Sequence, residues 1–293
     1  MASPSFRSIF AYAGNIISQF PLFSNGLHRP SPATHYDPLS GAPSCPLDGD
    51  MSCHNSTPVA GDNCCFVYPG GKLLLTQFWD EEVHVGGTEE DWTLHGLWPD
   101  LCDGTYDTFC GMTPRFDNVT DILKQYGQQE LLEFMDRYWI AASGPNSNLW
   151  GHEYNKHATC INTLSPTCYG PSYSTGIEAV DYFTRAVALF RTLDTYTALA
   201  RAGIVPHATR AYPLADVRDA LERFGGGRVV LRCGRGSKRD ALHEAWYVYF
   251  VKGSLQTGEF VPAAELGREG NAGNCPSRVR YLPKRAGVAG ELR

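Results

Sequence analysis

At 293 residues the chain is long for one domain, although a single α+β domain with long loops and tails would use all of it. Apolar residues make up 43% and charged residues 19%, which excludes wholesale disorder and supplies ample material for one core. The net charge of −6, with 13 Asp+Glu against 3 Lys+Arg in residues 1–110, argues against tight stoichiometric binding of nucleic acid. It does not exclude an enzyme that must release such a substrate.

Residues 1–40 read as a leader. Arg7 precedes a mildly apolar run, Ser8 to Phe23, interrupted by Tyr12, Asn15, Gln19 and Pro21, so the segment is a poor signal-like one followed by a linker. No stretch of about 18 apolar residues occurs, and no membrane span is expected. A folded body is expected over 41–283. Within it, Lys72 to Phe78 (KLLLTQF) predicts a buried strand, and Trp92 to His95 (WTLH) a second, closed by Gly96 and Pro99. Asp121 to Tyr138 has a largely helical apolar spacing behind an Asn118 or Thr120 cap, with Gly127 weakening its middle. Glu178 to Leu193 and Leu214 to Phe224 predict two further amphipathic helices, the latter opened by Pro213 and closed by Gly225 to Gly227. Arg228 to Cys233 and Ala241 to Val251 predict strands, the second with Trp246, Val248 and Phe250 on one side. Residues 284–293 read as a loose tail. Strands at both ends with helices between predict a single α+β domain built on a central antiparallel sheet flanked by helices.

Ten cysteines, at positions 45, 53, 64, 65, 102, 110, 160, 168, 233 and 275, include no C-x-x-C pair. Zinc ribbons and redox motifs need that short spacing, so the cysteines predict a disulfide framework formed in an oxidising compartment. Sequons at Asn55 and Asn118 are candidate glycosylation sites and agree with a secretory route.

Two segments carry chemistry. In WTLHGLWP (92–99), strand alternation puts Trp92 and Leu94 on one side and Thr93 and His95 on the other, so the imidazole points away from an apolar face and Gly96 lets the chain turn. A lone strand-end histidine is more often structural than catalytic. In WGHEYNKHATC (150–160), a helical step of about 100° places His152 at about 0°, Lys156 at about 40°, Glu153 at about 100° and His157 at about 140°. A solvated polar face would show the same pattern. The H-E-x-x-H zinc helix is a poor match, because the histidines here are five apart and an ammonium stands between them. Together the two segments hold what RNA transesterification needs: an acid and a base near neutral pKa, and cations for the phosphorane. The nucleophile is the ribose 2′-OH, so DNA is not expected to react and no metal or other cofactor is required.

WTLHGLWP and HEYNKHATC resemble the two active-site segments of the ribonuclease T2 family of acid ribonucleases, with Ala158 where the family commonly has Gly. The likeness extends from about Cys45 to Cys275, and the Cys64-Cys65 doublet resembles the fungal branch. It implies His157 as general base on the 2′-OH, His95 as general acid on the leaving oxygen, His152 on phosphate, and Glu153 with Lys156 steadying the intermediate. It further implies Trp98 and Tyr106 stacking on the 5′-side base with Asp100 accepting a hydrogen bond, and Gln77 as a contact for the second base. Stacking tolerates any base, so weak base selectivity is expected. The implied disulfides are Cys45–Cys65, Cys53–Cys102, Cys64–Cys168, Cys110–Cys160 and Cys233–Cys275. RNA is the expected transient partner of a monomer that meets no DNA or membrane, in the extracellular space or the vacuolar or lysosomal lumen. Two rivals stand beside this reading: a catalytically silent member of the fold acting as signal or inhibitor, and a disulfide-rich carbohydrate-binding module that would leave the histidines without purpose.

Overall fold

Three leucines in succession, Leu73 to Leu75, make β1 (Lys72–Phe78) apolar on both faces, so it needs cover on both and takes a central place in the sheet. In the computed structural model, which describes residues 35–54, 63–264 and 273–285, β1 is flanked by β2 (Thr93–Asp100) and by a late strand, both antiparallel to it. Between those partners the chain forms α1 (Val119–Gln125), α2 (Gln129–Tyr138), α3 (Asn146–Lys156), a run of 3-10 turns from Ala158 to Ser172, α4 (Ile177–Phe190) and α5 (Thr195–Arg201). It continues through β3 (Ala211–Pro213), α6 (Leu214–Gly225), β4 (Val229–Cys233), β5 (Leu242–Lys252), β6 (Glu259–Pro262) and β7 (Arg278–Arg280). The main sheet runs β2-β1-β5-β4, and β6 extends it on the far half of β5; β3 and β7 pair separately.

Alternation divides this sheet into two unlike faces. Leu73, Leu75, Leu94, Leu97, Ala245, Tyr247 and Tyr249 join Trp150, Tyr154, Tyr182 and Phe183 from the helices in the large core. The opposite face carries a small cluster of Leu74, Val230, Trp246 and Val248, with Trp98 and Phe250 partly buried against it. That second face bears the site.

Helix ends explain most departures from the expected boundaries. The single helix expected over 121–138 is two, because Gly127 takes φ +73°, a left-handed conformation that ends α1, and Gln128 N–H then bonds back to Leu123 O. Asn118 sits at the start of α1 but caps it through its carbonyl, not its side chain. The expected closure of the second strand at Gly96 is also corrected: β2 runs on to Asp100 because β1 continues to pair with it.

Both terminal boundaries shift outward. The described fold takes in Tyr36, inside the expected leader: its hydroxyl donates to Asp181 (3.2 Å), Leu39 N–H donates to the same carboxylate (2.8 Å), and Tyr36 N–H bonds to Tyr126 O. At the other end Lys284, in the expected tail, lies over the Trp79 ring at 4.6 Å and Arg285 pairs with Glu82 at 3.0 Å. All five disulfides join the cysteines that the family resemblance implies. Asn118 is exposed, whereas Asn55 lies outside the described residues. Among the described residues no helix is long and apolar enough to cross a membrane.

Candidate active site

His95 owes its direction to a backbone irregularity. Thr76 pairs with Gly96 and Gln77 with Leu94, so His95 is the extra residue of a β-bulge in β2. Without it, strict alternation would put Trp98 on the face opposite His95. With it, Leu94 and Leu97 both enter the core while His95 and Trp98 share the other face. Trp139 holds the bulge from below by donating its indole N–H to His95 O at 2.7 Å.

The helical segment meets this strand at its C-terminal end. Trp150 and Tyr154 fix α3 in the core, and the Cys110–Cys160 disulfide clamps the chain just beyond His157. Two backbone bonds, Phe109 N–H to Lys156 O and Met112 N–H to Thr159 O, tie the same loop to the same turn. Glu153, only 1% exposed, thus lies between the two histidines: Oε1 is 3.5 Å from His95 Nε2, and Oε2 is 3.9 Å from His157 Nε2. The Trp98 indole N–H donates to Glu153 Oε2 at 2.6 Å while its ring stacks on His157 at 4.9 Å and 19°. A Cβ at position 96 would fall on that carboxylate, so only glycine fits beside it.

The two imidazoles are driven apart electrostatically. Burial works against charge on His95, but the close carboxylates of Glu153 and Glu244 outweigh it and push its pKa up to about 9. Burial dominates at His157, and the neighbouring charges of Lys156, His95 and His152 add to it against the pull of Glu153, leaving a pKa of about 4. Burial likewise opposes charge on Glu153, yet the His95 hydrogen bond and the attraction of both histidines hold its carboxyl below the usual range. Between those values one histidine is a cation and the other a neutral base.

The remaining expected residues divide. His152 is exposed on α3, and Lys156, immediately before His157, is half-buried. Trp98 is in the cleft, but its ring contacts are His95, Trp246 and His157, not Tyr106. Tyr106 is exposed, and Asp100, buried at the end of β2, bridges to it through the backbone. Gln77 is a correction. Alternation along β1 turns it to the core side with Leu73 and Leu75, where it is fully buried, its amide donating to Leu193 O and accepting from Thr195. It cannot touch a base.

Three residues escaped the sequence reading. Phe78 stacks on His95 at 3.9 Å and 20°, the Glu244 carboxylate stands 3.8 Å from His95 Nδ1, and Trp246 meets Trp98 edge to face at 5.2 Å. A signal existed: alternation places Glu244 on the Trp246, Val248 and Phe250 side of its strand, where a carboxylate has no packing role. Among the described residues, no group of three or more His, Cys, Asp or Glu side chains is arranged to hold a metal ion.

Residues 70–263 match the family model described as Ribonuclease T2 family. Ribonuclease T2 of Aspergillus oryzae is 45% identical over 245 residues, covering 83% of this chain and 85% of that one. Ribonuclease Trv of Hypocrea rufa is 44% identical, covering 82% and 98%, and a longer Ribonuclease T2-like protein of Aspergillus fumigatus is 44% identical, with the chain spanning 56% of it. The crystal structure of Actibind, a T2 ribonuclease, superposes with a TM-score of 0.74 at 39% identity, covering 83% of this chain and 99% of that one. The structure of human RNase T2 gives 0.51 at 26% identity, covering 73% and 99%. These matches give no support to a carbohydrate-binding module, and the chain belongs to the ribonuclease T2 family.

Proposed function

We propose that the chain is a metal-independent endoribonuclease that cleaves single-stranded RNA, with low base specificity, through a 2′,3′-cyclic phosphate. The observation that carries this reading is the placement of Glu153 between the Nε2 atoms of a charged and a neutral histidine.

Neutral His157 removes the proton from the 2′-OH, and the freed oxygen attacks phosphorus. His95, already a cation, gives its proton to the departing 5′-oxygen as the P–O bond breaks. Each step is worth roughly 10²–10⁴-fold in rate. His152 and Lys156 face the negative charge that gathers on the phosphorane, and Glu153 keeps the two imidazoles in register. With the proton inventory reversed, His95 draws a proton from water and His157 returns one to the 2′-oxygen, opening the cyclic phosphate more slowly to a 3′-phosphate. Trp98, Tyr106 and Asp100 are the base-binding candidates. Five disulfides and the two sequons support secretion from the cell or residence in a vacuolar or lysosomal lumen.

Digestion of RNA and DNA in excess EDTA, with products resolved by mass, tests the reading. RNA alone is cut and a 2′,3′-cyclic phosphate accumulates first. Activity lost on chelation, or a 5′-phosphate product, overturns it.

A further inference from the structure

His95 Nε2 faces Glu153 and the cleft, but its other ring nitrogen is also placed. Nδ1 is buried and has no hydrogen-bond partner among the described residues, and the Glu244 carboxylate faces it at 3.8 Å. The register of β1 on β5 pairs Phe78 with Glu244, so this carboxylate rises beside the ring that stacks on His95. Trp246 orients it by donating its indole N–H to Oε2 at 2.5 Å, the same oxygen that His95 Nδ1 faces.

A carboxylate 15% exposed beside the apolar cluster of Leu74, Val230, Trp246 and Val248 is costly unless positive charge compensates it. His95 faces one of its oxygens, His243 lies 3.9 Å from the other, and Arg232, its cross-strand partner on β4, lies over the Trp246 ring beside it. We propose that Glu244 is a positioning residue for the reaction: it receives the Nδ1–H of His95 and so reserves Nε2 as the nitrogen that gives up and takes back the catalytic proton. This rests on the general-acid role assigned to His95. Catalytic hydrogen bonds are often long in a free enzyme and tighten when substrate binds, and closing this one needs a movement of under about 1 Å.

The arrangement fixes the tautomer. When His95 protonates the leaving oxygen it loses the Nε2 proton and keeps the one on Nδ1, held by Glu244. The Nε2 lone pair then points into the cleft, ready to take a proton from the water of the second step. Among the described residues, the other charged or titratable groups facing His95 or this carboxylate are Glu153 and His157 from the α3 segment, His243 from β5, and Arg232 from β4, which pairs with Glu244 across the strands and lies over the Trp246 ring at 5.0 Å.

Glu244→Gln keeps the shape and removes the charge. Nitrogen-15 NMR of the His95 ring, recorded without RNA, is expected to show its titration falling by about one pH unit or more, together with loss of the single Nδ1–H tautomer. In kinetics the alkaline limb of kcat moves acidward by the same amount, and kcat at pH 7 falls about tenfold while KM changes less than twofold. The acid limb, set by His157, stays. Glu244→Asp, which keeps the charge at a longer reach, recovers at least half of the limb shift and serves in place of Gln should that variant fold poorly by circular dichroism. An unmoved His95 titration in a folded variant overturns the proposal. Because the NMR readout needs no substrate, absence of RNA cleavage by the parent chain would count against the ribonuclease reading alone.

Discussion

His95 and His157 share one carboxylate and one cleft, yet the strand region around the first and the helix end around the second push them in opposite directions. On the strand side the imidazole meets Glu244 from β5 and Glu153 reaching across from α3, and is lifted to about 9. The helix side buries its imidazole beside Lys156 and His152 and lowers it to about 4. Proximity therefore did not make the two alike. What separates acid from base is the sign of the neighbouring charge and the degree of burial, and both come from elements far apart in the chain.

Removing either histidine breaks the contrast outright. His95→Ala and His157→Ala are each expected to lower kcat/KM by at least about a hundredfold, the lower bound for one positioned acid or base. Steady-state cleavage of a homopolymeric RNA, with circular dichroism to verify folding, measures this. A near-normal rate in either variant would remove that residue from its role.

The next effect separates the regions mechanically. Cys110–Cys160 closes a loop with a sequence separation of 50 and clamps the helix end, whereas no disulfide touches the β2 bulge directly. Replacing both cysteines with alanine is expected to lower stability by about 2–4 kcal/mol in denaturant titrations. At temperatures where the variant stays folded, activity falls through His157 while the alkaline limb of His95 holds. Loss of that limb would show that the strand side depends on the clamp as well.

How much of this contrast was legible in sequence follows from what each feature needs. The residue types and their segments were, because alternation and the 100° helical step are local rules: β1 has the expected bounds, and α6 ends one residue beyond them. The β2 bulge was not, since it exists only as a mismatch of register with β1, and it decides that Trp98 joins His95. Gln77 misled for a related reason. Named as a base contact through the family resemblance, it is placed by alternation on the helix-covered face, where Thr195 and Leu193, over a hundred residues later, satisfy it. The docking of Tyr36 on Asp181 is equally non-local.

Glu153 acts on both histidines, so its substitution tests whether they are coupled. Its charge raises both, and Glu153→Gln is expected to move both limbs of the pH profile toward acid, with about a tenfold loss at pH 7. A shift of one limb alone would assign the carboxylate to a single partner. Stability should report the same opposition. Because His157 titrates near 4 when folded and near 6.5 when unfolded, the unfolded chain binds a proton that the native one refuses, and this costs up to about 1.4 kcal/mol for each pH unit from 6.5 down to 4. His95 has the reverse sign: its stabilisation is fully present below 6.5 and is lost as pH rises through 9. Urea titrations at pH 7 and pH 4.5 should therefore show a shallower acid loss in His157→Gln than in the parent. Equal losses would refute the burial account of His157.

The smallest effect concerns the rings that cover each imidazole. Phe78 lies on His95 and Trp98 on His157, at nearly the same interplanar angle, but only the first covers a cation. Phe78→Leu keeps an apolar side chain on that face of the sheet and removes the π face. A stacked aromatic pair contributes about 0.5–1.5 kcal/mol, and one pH unit corresponds to about 1.4 kcal/mol. The alkaline limb should therefore fall by about half a unit to one unit, because the charged form loses its partner, while kcat at pH 6 changes less than about threefold. The acid limb should stay where it is, since Trp98 and not Phe78 covers His157. If both limbs move, the two aromatic covers are coupled through the sheet, and the separation of the strand side from the helix side is weaker than the distances suggest.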